Sequence, residues 1–295
     1  MNPMLNTALR AARRAGQVIN RASLRIERLY VDKKGPKDYV SEVDREAEQI
    51  IIDILQQAYP DHEILAEESG LHHANNDDLA KAADKDSAEA EAKAGVAGHA
   101  SGGAGAADKT PSRAEAADYQ WVIDPLDGTT NFLHGYPHYA ISIGLLYKQQ
   151  LAHALVFDPN SNELFHASRG EGAFLNDRRI RVSKEHRYHD ALLGAHVTGS
   201  GGGLTTDSPF VRMLSDCTAV RRSGSVVLDL AYVAAGRLDG FIGRNLKPWD
   251  TAAGALLVLE AGGLVGGFEG EQDWLDTGQI VAANPRVFAR MLSYL

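Results

Sequence analysis

Asp124 and Asp127 stand three residues apart in the stretch Trp121–Gly135, W-V-I-D-P-L-D-G-T-T-N-F-L-H-G. Trp121, Val122 and Ile123 form an apolar run suited to a buried strand that ends at Asp124. Pro125 donates no N–H and biases Asp124 towards an extended backbone, so the chain must leave the strand sharply. Gly128 permits the turn, and Thr129, Thr130 and Asn131 are good helix-capping residues. Such a tip offers carboxylates to a hard cation beside backbone N–H groups that suit an anion. Magnesium with phosphate is the chemistry that needs both together. Taken alone, D-x-x-D with Asp-Pro and Asp-Gly pairs is an ordinary turn signal, so support has to come from elsewhere.

Other acids lie at the ends of predicted elements. Residues near 3 to 22 carry Leu5, Ala8, Leu9, Ala12, Ala15 and Ile19 at helical spacing. The cluster Lys33-Lys34-Gly35-Pro36-Lys37-Asp38 reads as a loop whose lysines either meet an anion or are simply solvated. Ser41 to Asp44 has the form of a capping box and opens a second helix with a stripe of Ile50, Ile51, Ile54, Leu55 and Ala58, stopped by Pro60. Asp44 in its first turn is either a dipole-stabilising acid or a reactive partner. A short apolar strand then delivers Glu67 and Glu68 to a turn. Strands over Ala140–Tyr147, Leu151–Phe157, Glu163–Ser168 and Ala173–Leu175 read as an antiparallel meander, followed by a strand Ala191–Val197, a loop Gly199–Gly203 and a helix Pro209–Cys217. The run from Val220 through Arg221 to Ser225 precedes a helix Val226–Ala235, whose start is suited to an anion with Arg221 as a clamp. Leu238–Ile242 reads as a strand, Asp250 as N-cap of a helix Thr251–Ala261, and Leu264–Gly267, Ile280–Ala283 and Pro285–Tyr294 as two late strands and a closing helix.

The 295 residues are 44% hydrophobic and carry a net charge of −9. The length can bury a real core, and the acidic balance argues against direct nucleic-acid binding by bulk electrostatics. Cys217 is the only cysteine, which excludes an internal disulfide and fits a reducing, cytoplasmic compartment. No run approaches the roughly 18 apolar residues of a membrane span. The Arg-rich start lacks a secretory apolar stretch and reads as a first structural helix in preference to a transit peptide. From Ala74 to Ala117 alanine, glycine and charge dominate, with Leu79 and Val96 the only large apolar side chains. That composition cannot offset its ordering entropy, so 74–117 is expected to be a disordered surface insertion. His72, His73, His134 and His138 lack zinc-ligand spacing with any cysteine.

Three separated segments resemble the signatures of one family. Ala66-Glu67-Glu68-Ser69, Asp124 to Phe132 and Pro248-Trp249-Asp250-Thr251-Ala252-Ala253-Gly254 are similar to those of the inositol monophosphatase family. Arg221 to Arg237 looks most like its bacterial inositol-1-monophosphatases. The resemblance spans the chain apart from 74–117. It implies one catalytic domain over 1–295, of mixed α/β class: a layered αβαβα sandwich with two mainly antiparallel sheets and subdomains near 1–183 and 184–295. It also implies hydrolysis of small phosphate monoesters with two or three Mg²⁺ ions. By matching position, Glu67, Asp124, the carbonyl of Leu126, Asp127 and Asp250 would be metal ligands. Gly128 and Thr129 would hold phosphate, with Glu67, Leu126 and Asp127 beside it. Asp44, Glu67 and Thr129 would position the attacking water, with Glu68 in support. Lys33 would sit near phosphate or a third ion, and Arg221 and Asp250 would meet the alcohol. Lithium inhibition and a homodimer are family traits. The related alternatives are a 3′(2′),5′-bisphosphate nucleotidase-like phosphatase and a partner of the transcription antitermination machinery. Inositol-hydrolysing relatives typically carry an acid where this chain has Gly243.

Overall fold

A computed structural model describes residues 2–29, 31–35, 38–74, 118–197 and 209–295. The expected insertion beyond Ala74 and the loop Gly199–Gly203 lie outside the described residues. Helices α1 (Pro3–Ala22) and α2 (Glu42–Ala58) form the first layer. Their buried stripes, Leu5, Ala8, Ala12, Ala15 and Ile19 on one and Val43, Ala47, Ile51 and Leu55 on the other, meet Ile64, Trp121, Ile123, Ile141 and Ile143. Those residues belong to one face of an eight-stranded sheet. In chain order its strands are β3 (Glu63–Ala66), β4 (Gly70–His72), β5 (Tyr119–Asp127), β6 (Ala140–Tyr147), β7 (Gln150–Asp158), β8 (Glu163–Ser168), β9 (Gly172–Leu175) and β10 (Arg178–Arg179), and they lie in the order β10-β9-β8-β7-β6-β5-β3-β4. Val122, between Trp121 and Ile123, points the other way, as the two-residue period of a strand requires.

That opposite face packs on two helices, α5 (Val226–Ala234) and α6 (Pro248–Glu260). Both are apolar almost all round, because a second sheet covers their far side. This five-stranded sheet runs β12 (Ala219–Arg221), β11 (Leu192–Val197), β13 (Gly240–Arg244), β15 (Ile280–Ala283), β14 (Leu264–Gly266). Phe241, Ile280 and Ala282 face α5 and α6. Ile242, Val281 and Ala283 face α4 (Pro209–Ser215) and α8 (Pro285–Leu292), which close the stack. The five layers are therefore α, β, α, β, α. A short helix α3 (Thr129–Leu133) follows β5, and α7 (Trp274–Thr277) precedes β15. Among the described residues, no helix is long and apolar enough to cross a membrane.

Four local expectations are corrected. The strand through Trp121 does not end at Asp124. It continues to Asp127, with Asp124 opposite Ser142 and Asp127 opposite Ala140, so one extra residue bulges out on β5. Pro125 has no N–H for the ladder, and a bulge is where a strand tolerates that. The cluster beginning at Lys33 is not simply a loop: β1 (Val31–Gly35) and β2 (Asp38–Ser41) pair as a hairpin, with Lys33 opposite Tyr39. Asp250 is not an N-cap. Lys247 is, because Pro248 with its preset φ starts the helix earlier, and Asp250 falls at the third helical position. In the second sheet, β11 pairs in parallel with both β12 and β13, while β13–β15 and β14–β15 are antiparallel, so only the larger sheet is antiparallel through most of its pairs.

Candidate metal and phosphate site

Carboxyl oxygens of Asp124, Asp127 and Asp250 all lie within 4.8 Å of one another. Asp124 and Asp127 come from the two sides of the β5 bulge. Asp250 comes from the first turn of α6, where its Oδ2 accepts the Lys247 N–H at 2.7 Å. Ser142 on β6 donates to the Trp249 carbonyl at 3.2 Å, which pins that turn against the strand neighbouring β5. Glu67 lies in the turn after β3, with its N–H on the Ile123 carbonyl at 3.2 Å, and its side chain hydrogen-bonds Asp124. Four acids from three regions of sequence thus converge.

The electrostatics record the crowding. Burial, then the charges of Glu67, Asp127 and Asp250, push the Asp124 carboxyl well above its usual range. Burial raises Asp127 to about 6, while bonds from Ser225 and Val227 oppose the rise. Burial and the Asp127 charge raise Asp250 to about 8. Carboxylates packed this way repel one another unless protonated or bound to a cation. A hard divalent ion that takes several oxygen ligands fits this donor set. The carbonyl of Leu126 sits in the same bulge, and the Leu126 N–H donates to Asp124 Oδ1 at 3.0 Å.

Beside the acids lies the start of α3. Its N-cap is Gly128 at φ +94°, rather than any of the hydroxyl or amide residues that follow. A Cβ at Gly128 would come 3.0 Å from the His138 carbonyl oxygen, so both the dihedral and the space call for glycine. The first N–H groups of a helix have no acceptor within it, which leaves this turn able to bind an anion. Thr129 Oγ1 donates to Asp44 Oδ1 at 3.0 Å, with the Leu126 carbonyl at 3.1 Å as the second acceptor in reach. Asp44 is 1% exposed. Its other oxygen takes Ser41 N–H at 2.9 Å and Ser41 Oγ at 2.5 Å, so the capping box expected from sequence is present and orients the acid. Burial raises the Asp44 carboxyl, and the Ser41 and Thr129 bonds oppose that.

The start of α5 does bind an anion, and that anion is Asp127. Asp127 Oδ2 accepts Ser225 Oγ at 2.5 Å and the Val227 N–H at 2.8 Å. Asn131 Nδ2 donates to the carbonyls of His138 at 2.7 Å and Ser223 at 2.9 Å, closing the same seam. Arg221 ends β12, two residues before the Ser223 whose carbonyl Asn131 holds. It lines a cleft of about 700 Å³ with Asn131, Ser223 and Asp229, and none of the three clustered aspartates lines that cleft. Glu68 follows Glu67 in its turn, and its N–H donates to Glu48. Lys33 is in β1, and its side chain lies outside the described residues. A Cβ at Gly243 on β13 would meet Leu246 Cδ1 at 2.6 Å and Phe241 Cε1 at 3.0 Å, so an acid there would require Leu246 to move.

Sequence reading missed Glu48 and Asp229, and it marked Ser225 at an anion-binding helix start without its partner Asp127. Glu48 falls four residues after Asp44 in the buried stripe of α2, and an acid in an apolar stripe was the available signal. Asp229 is 3% exposed in the otherwise apolar α5, and burial lifts it to about 7 against a bond from Ser223. Ser225 is the N-cap of α5.

Similarity to known proteins runs over nearly the whole chain. The profile of the inositol monophosphatase family matches residues 1–294. The chain is 45% identical to the putative Nus factor SuhB of Neisseria meningitidis serogroup B, covering 100% of this chain and 98% of that one. It is 40% identical to the Nus factor SuhB of Escherichia coli strain K12, over 99% of this chain and 96% of that one. Among solved structures, the extragenic suppressor protein suhB of Bartonella henselae superposes with a TM-score of 0.83 at 35% identity, covering 99% and 98% of the two chains. An inositol monophosphatase from Anabaena superposes at 0.75 with 30% identity, covering 98% and 94%. With its layered fold and its converging acids, the chain belongs to the inositol monophosphatase family.

Proposed function

We propose that the protein is a Mg²⁺-dependent phosphatase that hydrolyses myo-inositol 1-phosphate or a related sugar or polyol phosphate monoester. The observation that carries this reading is the approach of Asp124, Asp127 and Asp250 oxygens to within 4.8 Å, beside the open first turn of α3. The carboxylates of Glu67, Asp124, Asp127 and Asp250 and the carbonyl of Leu126 would hold two or three ions. Bound there, such ions would supply charge neutralisation for the dianionic ester, a lowered pKa for a water and stabilisation of the departing alkoxide. The chain's own groups do the rest. The N–H groups of Gly128 and Thr129 orient the phosphoryl oxygens. Thr129 donates its hydroxyl proton to Asp44, which leaves its oxygen lone pairs free to accept a proton from the attacking water. Asp44 is the terminal proton holder of that pair, and Glu67 holds the water from the other side, with Glu68 next to it. Asp250 and Arg221 would meet the alcohol portion, Arg221 from the cleft it lines with Asn131 and Ser223.

Phosphate release over a panel of monoesters, with and without Mg²⁺, tests the reading. Turnover of inositol 1-phosphate above that of adenosine 3′,5′-bisphosphate is expected, and the reverse order would assign the nucleotidase-like alternative. Activity that persists unchanged in excess chelator refutes the mechanism. Lithium inhibition and a homodimer in solution belong to the same reading and are checked in the same preparation.

A second reading has its own support. Similar proteins carry the name Nus factor, and α1 presents Arg10, Arg13 and Arg14 around a groove of about 630 Å³ floored by Leu9 and Ile54. None of the ion pairs among the described residues involves these arginines. A role as a partner of the transcription antitermination machinery would use such a surface. Complementation by Asp124→Asn separates the two: full rescue assigns the partner role, and loss of rescue with an intact fold assigns catalysis.

A further inference from the structure

The turn that carries Glu67 is held from behind by a side chain for which the proposed chemistry has no use. Glu48 lies one helical turn after Asp44 on α2 and is 2% exposed. Its two oxygens are taken by two successive backbone donors: Oε2 by the Glu68 N–H at 2.8 Å and Oε1 by the Ser69 N–H at 2.9 Å. The preceding N–H, that of Glu67, is taken by the carbonyl of Ile123, which immediately precedes Asp124 on β5. Three consecutive N–H groups are thus fixed, one by the strand that bears Asp124 and two by the helix that bears Asp44.

A buried carboxylate is normally retained beside a cation. None of the ion pairs among the described residues includes Glu48. Two aligned peptide dipoles hold it instead, and charge-assisted bonds of this kind are about twice as strong as neutral ones. The fork requires two acceptors. A glutamine can satisfy one N–H with its carbonyl but turns an NH₂ donor towards the other.

We propose that Glu48 is a positioning residue for the cation site: it sets the backbone of Glu67 and Glu68 so that the Glu67 side chain reaches Asp124. This rests on the acids being a metal site. Asp44 and Glu48 then form one device on the same face of α2. The first oxygen pair orients Thr129 and the second orients the turn of Glu67, so a single helix registers both the water-activating pair and a metal ligand.

The test compares wild type, Glu48→Gln and Glu48→Asp with Leu55→Ala, a cavity variant further along the same helix. Mg²⁺ affinity of the substrate-free protein is measured by titration calorimetry, the Mg²⁺ concentration for half-maximal phosphate release by assay, and Tm in chelator by circular dichroism. Groups behind metal ligands typically change affinity by about 10- to 100-fold. Glu48→Gln is expected to weaken Mg²⁺ binding by roughly 10-fold and to raise the half-saturating concentration in step. Glu48→Asp, which reaches only one N–H, should fall between. Leu55→Ala should lose Tm with unchanged Mg²⁺ affinity. If Glu48→Gln binds Mg²⁺ as wild type does, or if Leu55→Ala weakens binding equally, the positioning role is overturned while the metal site stands. If wild type binds no Mg²⁺, the metal reading fails and takes this role with it.

Discussion

At the scale of single residues, the pair Thr129–Asp44 makes a kinetic prediction. General acid–base groups contribute about 10²- to 10⁴-fold. Asp44→Asn and Thr129→Ala should each lower kcat by about 10²-fold or more with KM little changed, measured as initial rates at saturating Mg²⁺. The clustered aspartates make a prediction about pH. Without cation, Asp127 and Asp250 keep their protons up to about 6 and about 8, whereas the unfolded chain releases them near 3.8. Between those values the folded state binds more protons than the unfolded one, so stability is fully present below the unfolded pKa and falls as pH rises through the folded values. Tm in chelator should therefore be lower at pH 8 than at pH 5. Asp250→Asn should flatten that slope, and Mg²⁺ should raise Tm more at pH 8 than at pH 5. These acids were legible in the sequence because Asp-Pro, Asp-Gly and Trp-Asp contexts mark them. Glu48 was not, because only the fold shows which N–H groups its stripe faces.

At the scale of elements, the site depends on how strands end and helices begin. The β5 bulge and the Gly128 corner aim Asp124 and Asp127 while the chain turns into α3. Gly128→Ala would force a side chain into a left-handed backbone against the His138 carbonyl. A loss of about 1–3 kcal/mol in stability is expected, read by denaturant unfolding, with activity reduced beyond it. Several elements were readable from pattern alone: α1, α2 and the β6–β8 meander follow from their periods and from Pro60, Asp158 and Pro159. The start of α6 was misplaced because Asp250 resembles a cap, whereas Pro248 had already set the first turn. The hairpin at Lys33 was hidden because its lysines and glycine look solvated, and pairing with residues 38–41 is a tertiary fact.

At the scale of the whole molecule, α5 and α6 are the shared core of two sheets, and each delivers one part of the site. Ser225 and Val227 at the start of α5 hold Asp127, and α6 carries Asp250. The helices touch closely where a Cβ on Gly254 would come 2.5 Å from Leu230 Cβ. Gly254→Ala should separate them, costing about 1–3 kcal/mol by denaturant unfolding and weakening Mg²⁺ binding, although residue 254 is no ligand. The layering was not legible from composition or period, which show that α5 and α6 are apolar all round but not what covers them. The grip of α5 on Asp127 has one more outcome. A chain whose first sheet has formed while its central helices are still undocked would show Asp127 stripped of its donors, with Asp250 elsewhere. Such a half-made molecule has no pocket for the ion, so tight cation uptake during refolding reports completion of the whole structure and should lag behind the appearance of strand signal.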